Sequence, residues 1–173
     1  DPADDIAVAN TGDDLVLHGL HVSPDLDTIT YTLAGAGNPE TGWGLAGETW
    51  QAMDALDRYG GPSWFRLGDR DLGTHLFRTG RLSEGAGLAG VTAEIAAAWE
   101  LGFRLLPATE DHLRTMVTLA DGGEVGFQEY FVGLRHDVPV SGIRFDGADD
   151  ALPGPGVLEA ITTAEAVVVA PSN

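Results

Sequence analysis

The 173-residue chain has no cysteine and no lysine, and both absences narrow its possible functions. Without cysteine, a disulfide framework, a thiolate nucleophile and a cysteine-based zinc site are excluded. The nine basic residues are all arginine and stand against 27 acidic residues, which gives a formal net charge of -18. Because such a surface repels nucleic-acid phosphates and anionic lipids, the charge argues against nucleic acid or a membrane as a partner.

Long apolar runs and a signal-peptide pattern are also missing, so we expect a cytoplasmic protein. The length suits one hydrophobic core, and a single partial α/β domain is expected over residues 1–173. The chain starts at Asp1 without Met, and just before its last residues it has the apolar stretch 166–170, which is typical of a buried parallel strand. We therefore expect a fragment of a longer protein, with its sheet incomplete.

The hydrophobic pattern changes after about residue 102. After an opening strand at 6–9 and an extended stretch at 15–22, the pattern predicts helices at about 24–33, 47–59, 71–79 and 88–101. Beyond them it predicts strands at 103–106, 114–119, 124–134, 140–145 and 166–170, with a short helix at 155–162. This order favours an α/β fold with a helical insertion at about 24–102.

Three acidic clusters lie where a strand or loop leads into a predicted helix, at 10–14, 23–28 and 68–72. Ligands of α/β proteins collect at such junctions, because helix N-terminal amides and loop side chains converge there. Carboxylates do not bind phosphate directly, so a divalent cation between them and a phosphorylated substrate is the natural inference.

Each cluster also has a purely structural explanation. Asp25 and Asp27 fit the first turn of a helix, where each acid stabilises the helix dipole by roughly 0.3–1 kcal/mol. Asp13 and Asp14 fit an Asx-type turn. The segment 68–71 fits a set of ion pairs within a helix, although an acid, an Arg and a second acid ahead of a helical His exceed what a cap requires.

The aromatic residues leave alternatives open as well. His18 and His21 are three apart in the stretch 15–22, which predicts opposite faces and argues against a shared metal. Trp43 lies in a glycine-rich loop and is either a core residue or a stacking face for a flat heteroaromatic ligand.

The nucleophile elbow, the zincin helix, the Walker loop and an intact Gly-x-Gly-x-x-Gly are absent from the sequence.

Short strings in a fixed order along the whole chain resemble the 2-phospho-L-lactate transferase family, which builds the deazaflavin coenzyme F-420. The strings are residues 10–14, 18–20, 24–28, 42–44, 48–50, 67–71, 74–75, 127–130 and 170–173. The resemblance implies a Rossmann-like sheet with a helical insertion. It also implies transfer of a phospholactyl or phosphoenolpyruvyl group from a guanosine-diphosphate-linked donor to a hydroxyl of the deazaflavin Fo, with release of GMP and with Mg2+ as cofactor.

The resemblance further implies roles for individual residues. The expected metal ligands are Asp13, Asp14 and Asp25. The expected catalytic residues are Asp13, Asp27, Asp69 and Arg70, with Arg70 facing phosphate. Contacts to the deazaflavin and the donor are expected from Trp43, His75, Ser172 and Asn173. We also expect a homodimer. The family's opening Gly-Gly-x-Gly-Gly phosphate loop has no counterpart in this sequence. Family members also continue beyond the loop at 170–173 into a second half, so the chain covers little more than half of the family pattern.

Two other functions would use the same acidic residues. A non-catalytic regulator that binds nucleotide sugars would share the Rossmann-like core and the turn at 10–14. It would lack the Trp43 loop and the helix start at 68–75, which belong to the transferase pattern. A metal-dependent phosphohydrolase would need an accessible water in place of an acceptor pocket.

Overall fold

The structure is a computed structural model, and it describes residues 5–170. Its strands are β1 (Ile6–Ala9), β2 (Leu15–Leu17), β3 (Leu20–Val22), β4 (Arg104–Pro107), β5 (Arg114–Leu119), β6 (Glu124–Gly126) and β7 (Val140–Asp146). Its α-helices are α1 (Pro24–Leu33), α2 (Gln51–Arg58), α3 (Asp71–Ser83), α4 (Leu88–Ala98) and α5 (Val157–Thr163), and a π-helical turn spans Glu129–Gly133.

Three small sheets organise the described residues. Strands β1 and β4 pair in parallel, with Ile6 opposite Arg104. Strands β2 and β3 form an antiparallel hairpin, and β6, β5 and β7 form an antiparallel sheet in that order. A parallel pair needs a long crossover connection, and here α1 to α4 all lie between β3 and β4. The expected α/β fold with parallel strands is confirmed.

The stretch 15–22 is a hairpin rather than one extended segment. His18 and Gly19 form its two-residue turn, with φ of 53° and 78°, the left-handed values of a type I′ turn. His21 then lies in β3, with Nε2 2.9 Å from Asp14 Oδ2. The prediction that His18 and His21 occupy opposite faces of one strand is therefore wrong.

Helix α1 has the predicted bounds, and its sequence explains both ends. Pro24 occupies the first turn, where its fixed φ is pre-organised and its missing N–H costs nothing. Beyond the helix, Gly35 takes a φ of 69°, and Ala36 N donates to Tyr31 O at 2.8 Å. This is the Schellman ending that glycine favours. Ser23 does not cap α1 with its side chain, which instead donates to Asp14 Oδ2 at 2.8 Å.

The other long helices begin or end elsewhere than predicted. Helix α2 begins at Gln51 rather than near Gly47, whose φ of 68° does not fit a right-handed helix. Helix α3 continues to Ser83, and Gly85 with a φ of 92° follows its end. Helix α4 stops at Ala98 because Glu100, not Gly102, takes the left-handed conformation, with a φ of 54°.

Two predicted strands differ from the structure. The segment 124–134 leaves the sheet after Gly126 and enters the π-helical turn. Residues 166–170 form no strand, and Val168 and Val169 are 87% and 91% exposed. An apolar run becomes a buried strand only where a neighbouring strand supplies its hydrogen bonds, and none pairs with this run within residues 5–170.

The apolar core consists of two clusters. One joins the hairpin β2–β3 to α2 and to the loop before α3, and it contains the buried residues Leu17, Val22, Met53, Phe65 and Leu67. The other joins β1 and β4 to α1 and α4, and it contains Ala9, Leu26, Leu88 and Leu105. Among residues 5–170, no helix has both the length and the apolar character needed to span a membrane.

Candidate functional site

A cleft of about 360 Å³ lies where the turn after β1, the starts of α1 and α3, and the loops around Trp43 and Phe127 meet. Its lining has two chemically different sides. The acidic side consists of Asp13, Asp25, Asp27, Asp71 and the imidazole of His75. The other side, here called the aromatic wall, consists of Trp43, Phe65, Phe127 and Phe131. Such a cleft suits a ligand with a flat apolar part and a polar, hydroxyl-rich part.

Asn10 holds two of the cleft carboxylates together. Its Nδ2 donates to Asp13 Oδ2 and to Asp25 Oδ2, each at 3.1 Å. Its Oδ1 accepts from Gly12 N at 2.9 Å, which closes an Asx turn on Asn10 rather than on Asp13 or Asp14. Thr115 N of β5 donates to Gly12 O at 2.6 Å and ties the turn to the antiparallel sheet.

The electrostatics of Asp13 and Asp25 reflect this crowding. Burial and the neighbouring Asp13 charge raise the pKa of Asp25 to about 6, and the Asn10 amide opposes the rise. Burial also raises the pKa of Asp13, as does the nearby Asp14, against hydrogen bonds from Thr115 and Asn10. Within residues 5–170 no basic side chain is among the groups that shift either pKa. Two crowded carboxylates with raised pKa values and no basic neighbour among these groups favour the binding of a cation.

Asp14 occupies a different position from the other two expected metal ligands. It is 3% exposed and does not line the cleft. Its Oδ2 accepts from Ser23 Oγ at 2.8 Å and lies 2.9 Å from His21 Nε2. These contacts fix the hairpin β2–β3 against the start of α1, so Asp14 has a structural role in this arrangement.

Asp27 lies in a buried group of charged side chains. Both of its oxygens bind the Arg78 guanidinium, with Arg78 Nη1 3.1 Å from Oδ2. His75 Nδ1 lies 3.6 Å from Asp27 Oδ2, and His75 Nε2 lies 3.1 Å from Asp71 Oδ2. Asp71, His75 and Arg78 share one face of α3, because their i, i+4, i+7 spacing is a property of the helix itself.

Each carboxylate of this group is balanced by a neighbour. Burial raises the pKa of Asp27, and the Arg78 guanidinium opposes that rise. Burial also raises the pKa of Asp71, but His75, Tyr31 and Arg78 together bring it below the usual value. Asp27, Asp71 and His75 also present ligand atoms within 4.8 Å of one another, yet Arg78 already supplies the cation that Asp27 needs.

Asp69 and Arg70 lie outside the cleft lining. Asp69 accepts hydrogen bonds from Gln51 N and Ala52 N, both at 3.0 Å, at the start of α2. Arg70 Nη1 donates to Ala46 O at 2.7 Å. These contacts give both residues a structural role in the loops beside the cleft, and their expected catalytic role stays a prediction.

The residues expected to contact the deazaflavin and the donor are placed unequally. Trp43 and His75 both line the cleft. Trp43 is 44% exposed, and its ring centroid lies 6.1 Å from that of Phe65, so the indole keeps surface available to a ligand. Ser172 and Asn173 fall outside the described residues.

Sequence reasoning missed several residues that build the cleft. Asn10 and Tyr31 have no predicted role, yet Asn10 bridges Asp13 and Asp25, and Tyr31 donates to Asp71 Oδ1 at 2.6 Å. Local spacing gives no signal for the Asn10–Asp25 and Tyr31–Asp71 contacts, since each joins distant parts of the chain.

The aromatic wall contains a second omission. Phe127 and Phe131 stack with centroids 5.6 Å apart and line the same cleft as Trp43. Their i, i+4 spacing is a helical signal that could have identified the turn. The β-type residues around them favour a strand instead, which is the wrong prediction for this segment.

The fold and the cleft define an α/β protein with a cleft at its strand–helix junctions. Comparison with protein families is more specific, since the model of the family described as 2-phospho-L-lactate transferase CofD matches residues 3–173. The chain belongs to this family, and the resemblance seen in the sequence is confirmed.

Relatives named phosphoenolpyruvate transferase match nearly the whole chain. The Streptomyces griseus protein is 49% identical over 175 residues, covering 99% of this chain and 55% of that protein. The Nocardia farcinica protein is 46% identical, covering 96% of this chain and 52% of that protein. The Mycolicibacterium smegmatis protein is 47% identical, covering 96% and 53%. The chain spans about half the length of these curated relatives.

A solved structure shows the same fold. The crystal structure of a upf0052 family member from Bacillus halodurans aligns with a TM-score of 0.57 and 18% identity. The alignment covers 96% of this chain and 50% of that one. At this identity the similarity supports the fold alone.

Proposed function

We propose that this chain forms the acceptor side of a transferase that moves a phosphoenolpyruvyl or phospholactyl group from a guanosine-diphosphate-linked donor to a hydroxyl of the deazaflavin Fo. The family and the names of the relatives support a transferase of this class. The donor, the acceptor, Mg2+ and a place in coenzyme F-420 biosynthesis are parts of the proposal.

One observation supports it most directly, which is the pairing of the aromatic wall with the acidic side inside one cleft. Fo joins a flat tricyclic ring to a ribityl chain. The ring would stack against Trp43 and Phe131, and the chain would direct its terminal hydroxyl to Asp13 and Asp25. A phosphohydrolase would not need the aromatic wall, because water is its acceptor.

The chemistry requires positioning and charge compensation more than covalent catalysis. The acceptor hydroxyl oxygen forms a bond to the phosphorus that carries the lactyl or enolpyruvyl group. The bond from that phosphorus to the GMP oxygen breaks, and GMP leaves with the electron pair. The hydroxyl proton passes to a carboxylate oxygen of Asp13 or Asp25 that is not bound to the cation.

Asp13 and Asp25 also fit Mg2+, since they are hard oxygen donors that Asn10 holds together. When bound, Mg2+ would offset the charge of the donor phosphates. Asp14 is already engaged by Ser23 and His21, so we propose Asp13 and Asp25 as the principal ligands.

The experiment compares Asp13→Asn with Asp149→Asn in a protein that spans the full length of the relatives, because this chain supplies only the acceptor side. Asp149 is an exposed acid in the loop after β7. We expect Asp13→Asn to lower GMP release by about a hundredfold or more, since a charged group aimed at the reacting centre is lost. Asp149→Asn should retain the parent rate, and circular dichroism should show both variants folded.

Retention of more than half of the parent rate in Asp13→Asn would contradict the role of this carboxylate. Binding of Fo and the donor without any GMP release in the parent protein would favour the non-catalytic regulator.

A further inference from the structure

Glu48, Gly68 and Asp69 form a contact set, here called the clasp, between the loop that follows Trp43 and the loop that precedes α3. We propose that the clasp is a positioning device that fixes the aromatic wall relative to Asp71 and His75. The expected effect on catalysis rests on the proposed function. The clasp itself rests only on observed contacts between its residues.

Glu48 binds the start of α3 with both oxygens. Its Oε2 accepts from Arg70 N at 2.8 Å, and its Oε1 accepts from Asp71 N at 2.9 Å. The first N–H groups of a helix have no partner within the helix, and here a side chain 22 and 23 residues earlier in the chain satisfies two of them.

Asp69, from the loop before α3, binds the first amides of α2 in the same way. Besides the amides of Gln51 and Ala52, it accepts from the Thr49 hydroxyl. Hydrogen bonds from Thr49, Ala52 and Gln51 lower the pKa of Asp69. Each helix is therefore capped by the carboxylate that precedes the other helix. A local N-cap would stabilise either helix alone, whereas this exchange ties two loops together.

Gly68 makes the exchange sterically feasible. A Cβ at this position would lie 2.2 Å from Glu48 Cδ and 2.5 Å from Glu48 Cγ. Real Cβ atoms do not approach so closely, so any side chain at 68 would displace Glu48. The backbone strengthens the same contact, since Asp69 N donates to Thr49 O at 2.9 Å.

The clasp joins the two sides of the cleft. On one side, segment 46–49 follows Gly42, Trp43 and Gly44 closely, and these three residues line the cleft. On the other, segment 68–70 runs into Asp71 and His75. Gly42, Gly44 and Gly47 all have positive φ, and glycine adopts other conformations as readily. Contacts from the clasp therefore add to the loop's own hydrogen bonds, such as Asn38 N to Gly44 O at 3.0 Å, in holding Trp43 in one place.

The test is a double-mutant cycle of Glu48→Ala, Gly68→Ala and both together. We expect each single variant to raise the KM for Fo about tenfold and to change kcat less than about twofold, because the acceptor pocket loses its pre-organisation. The double variant should be no worse than Glu48→Ala, because the three nearest atoms that a Cβ at 68 meets all belong to Glu48.

Glu110→Ala is the matched control. Glu110 Oε1 accepts from Ala89 N at 2.7 Å at the start of α4 and lies close to Gly87, but it does not line the cleft. Its removal should lower stability without changing the KM for Fo. An equal rise in KM in this variant would mean that lost stability, not the clasp, causes the effect.

Hydrogen exchange at Gln51, Ala52, Arg70 and Asp71 supplies a readout that does not depend on turnover. Glu48→Ala should speed exchange at all four amides, including the two on α2 that Glu48 does not touch. Faster exchange at Arg70 and Asp71 alone, or additive effects of the two substitutions, would overturn the clasp. If the parent protein binds no Fo, the proposed function fails while the exchange result still decides the clasp.

Discussion

Asp25 gives the sharpest prediction, which concerns the pH dependence of stability in the metal-free protein. Its pKa rises from 3.8 to about 6 on folding, so the folded state binds this proton more tightly than the unfolded state. The stabilisation is complete below pH 3.8 and is lost as the pH rises through about 6. Replacing Asp25 with Asn removes this dependence, since the amide does not titrate.

The size of the effect follows from the same values. A rise from 3.8 to about 6 corresponds to about 3 kcal/mol at 1.36 kcal/mol per pKa unit. Because Asp25 is only partly buried, solvent screening reduces the expectation to about 1–2 kcal/mol. Between pH 4 and pH 7, the parent protein should lose this much free energy of unfolding relative to Asp25→Asn.

Urea denaturation in EDTA at a series of pH values measures this difference, with Asp149→Asn as a control that should follow the parent. Adding Mg2+ at pH 7 should stabilise the parent protein and leave Asp25→Asn nearly unchanged, because a bound cation removes the repulsion between Asp13 and Asp25. Parallel stability curves for the parent and Asp25→Asn between pH 4 and 7 would refute the reasoning.

Two further predictions concern the aromatic wall and the buried ion pair. Trp43→Ala should raise the dissociation constant for Fo by about tenfold or less, since ring stacking contributes about 0.5–1.5 kcal/mol beyond burial, and should leave GMP binding unchanged. Equal affinity for Fo, measured by its fluorescence, would make Trp43 a packing residue. Asp27→Asn leaves the Arg78 guanidinium buried without its counter-charge and should cost about 3–5 kcal/mol in urea denaturation. Adding Arg78→Met should recover much of that loss, and no recovery would show that the pair is not the cause.

The parts of the site that can be predicted from the sequence are those fixed by local geometry. The face of α3 with Asp71, His75 and Arg78 follows from helical spacing alone, and the start of α1 follows from Pro24. The remaining parts depend on contacts between distant segments. Nothing local indicates that Asn10 would reach Asp25, or that Phe127 and Phe131 would line the same cleft as Trp43.

The role of Asp69 also depends on a contact between distant segments. An acid before a helix looks like a ligand or a cap of its own helix, and the structure gives it the amides of α2 instead. First-turn spacing predicts that Asp27 lies outside the core, and it is 5% exposed. Because Asp27 is buried, a loss of activity in Asp27→Asn would follow from loss of folding as readily as from loss of a catalytic group.

The acids of the cleft divide by what balances their charge. Asp27 faces Arg78, and Asp71 lies beside His75, so each already has a basic neighbour. Asp13 and Asp25 share the neutral amide of Asn10 and repel each other, which costs free energy whenever both are ionised. A cation that enters the cleft therefore gains most at Asp13 and Asp25. The same imbalance that raises the pKa of Asp25 in the metal-free cleft therefore makes a proton and a cation compete for this carboxylate, and binding of the cation releases the proton.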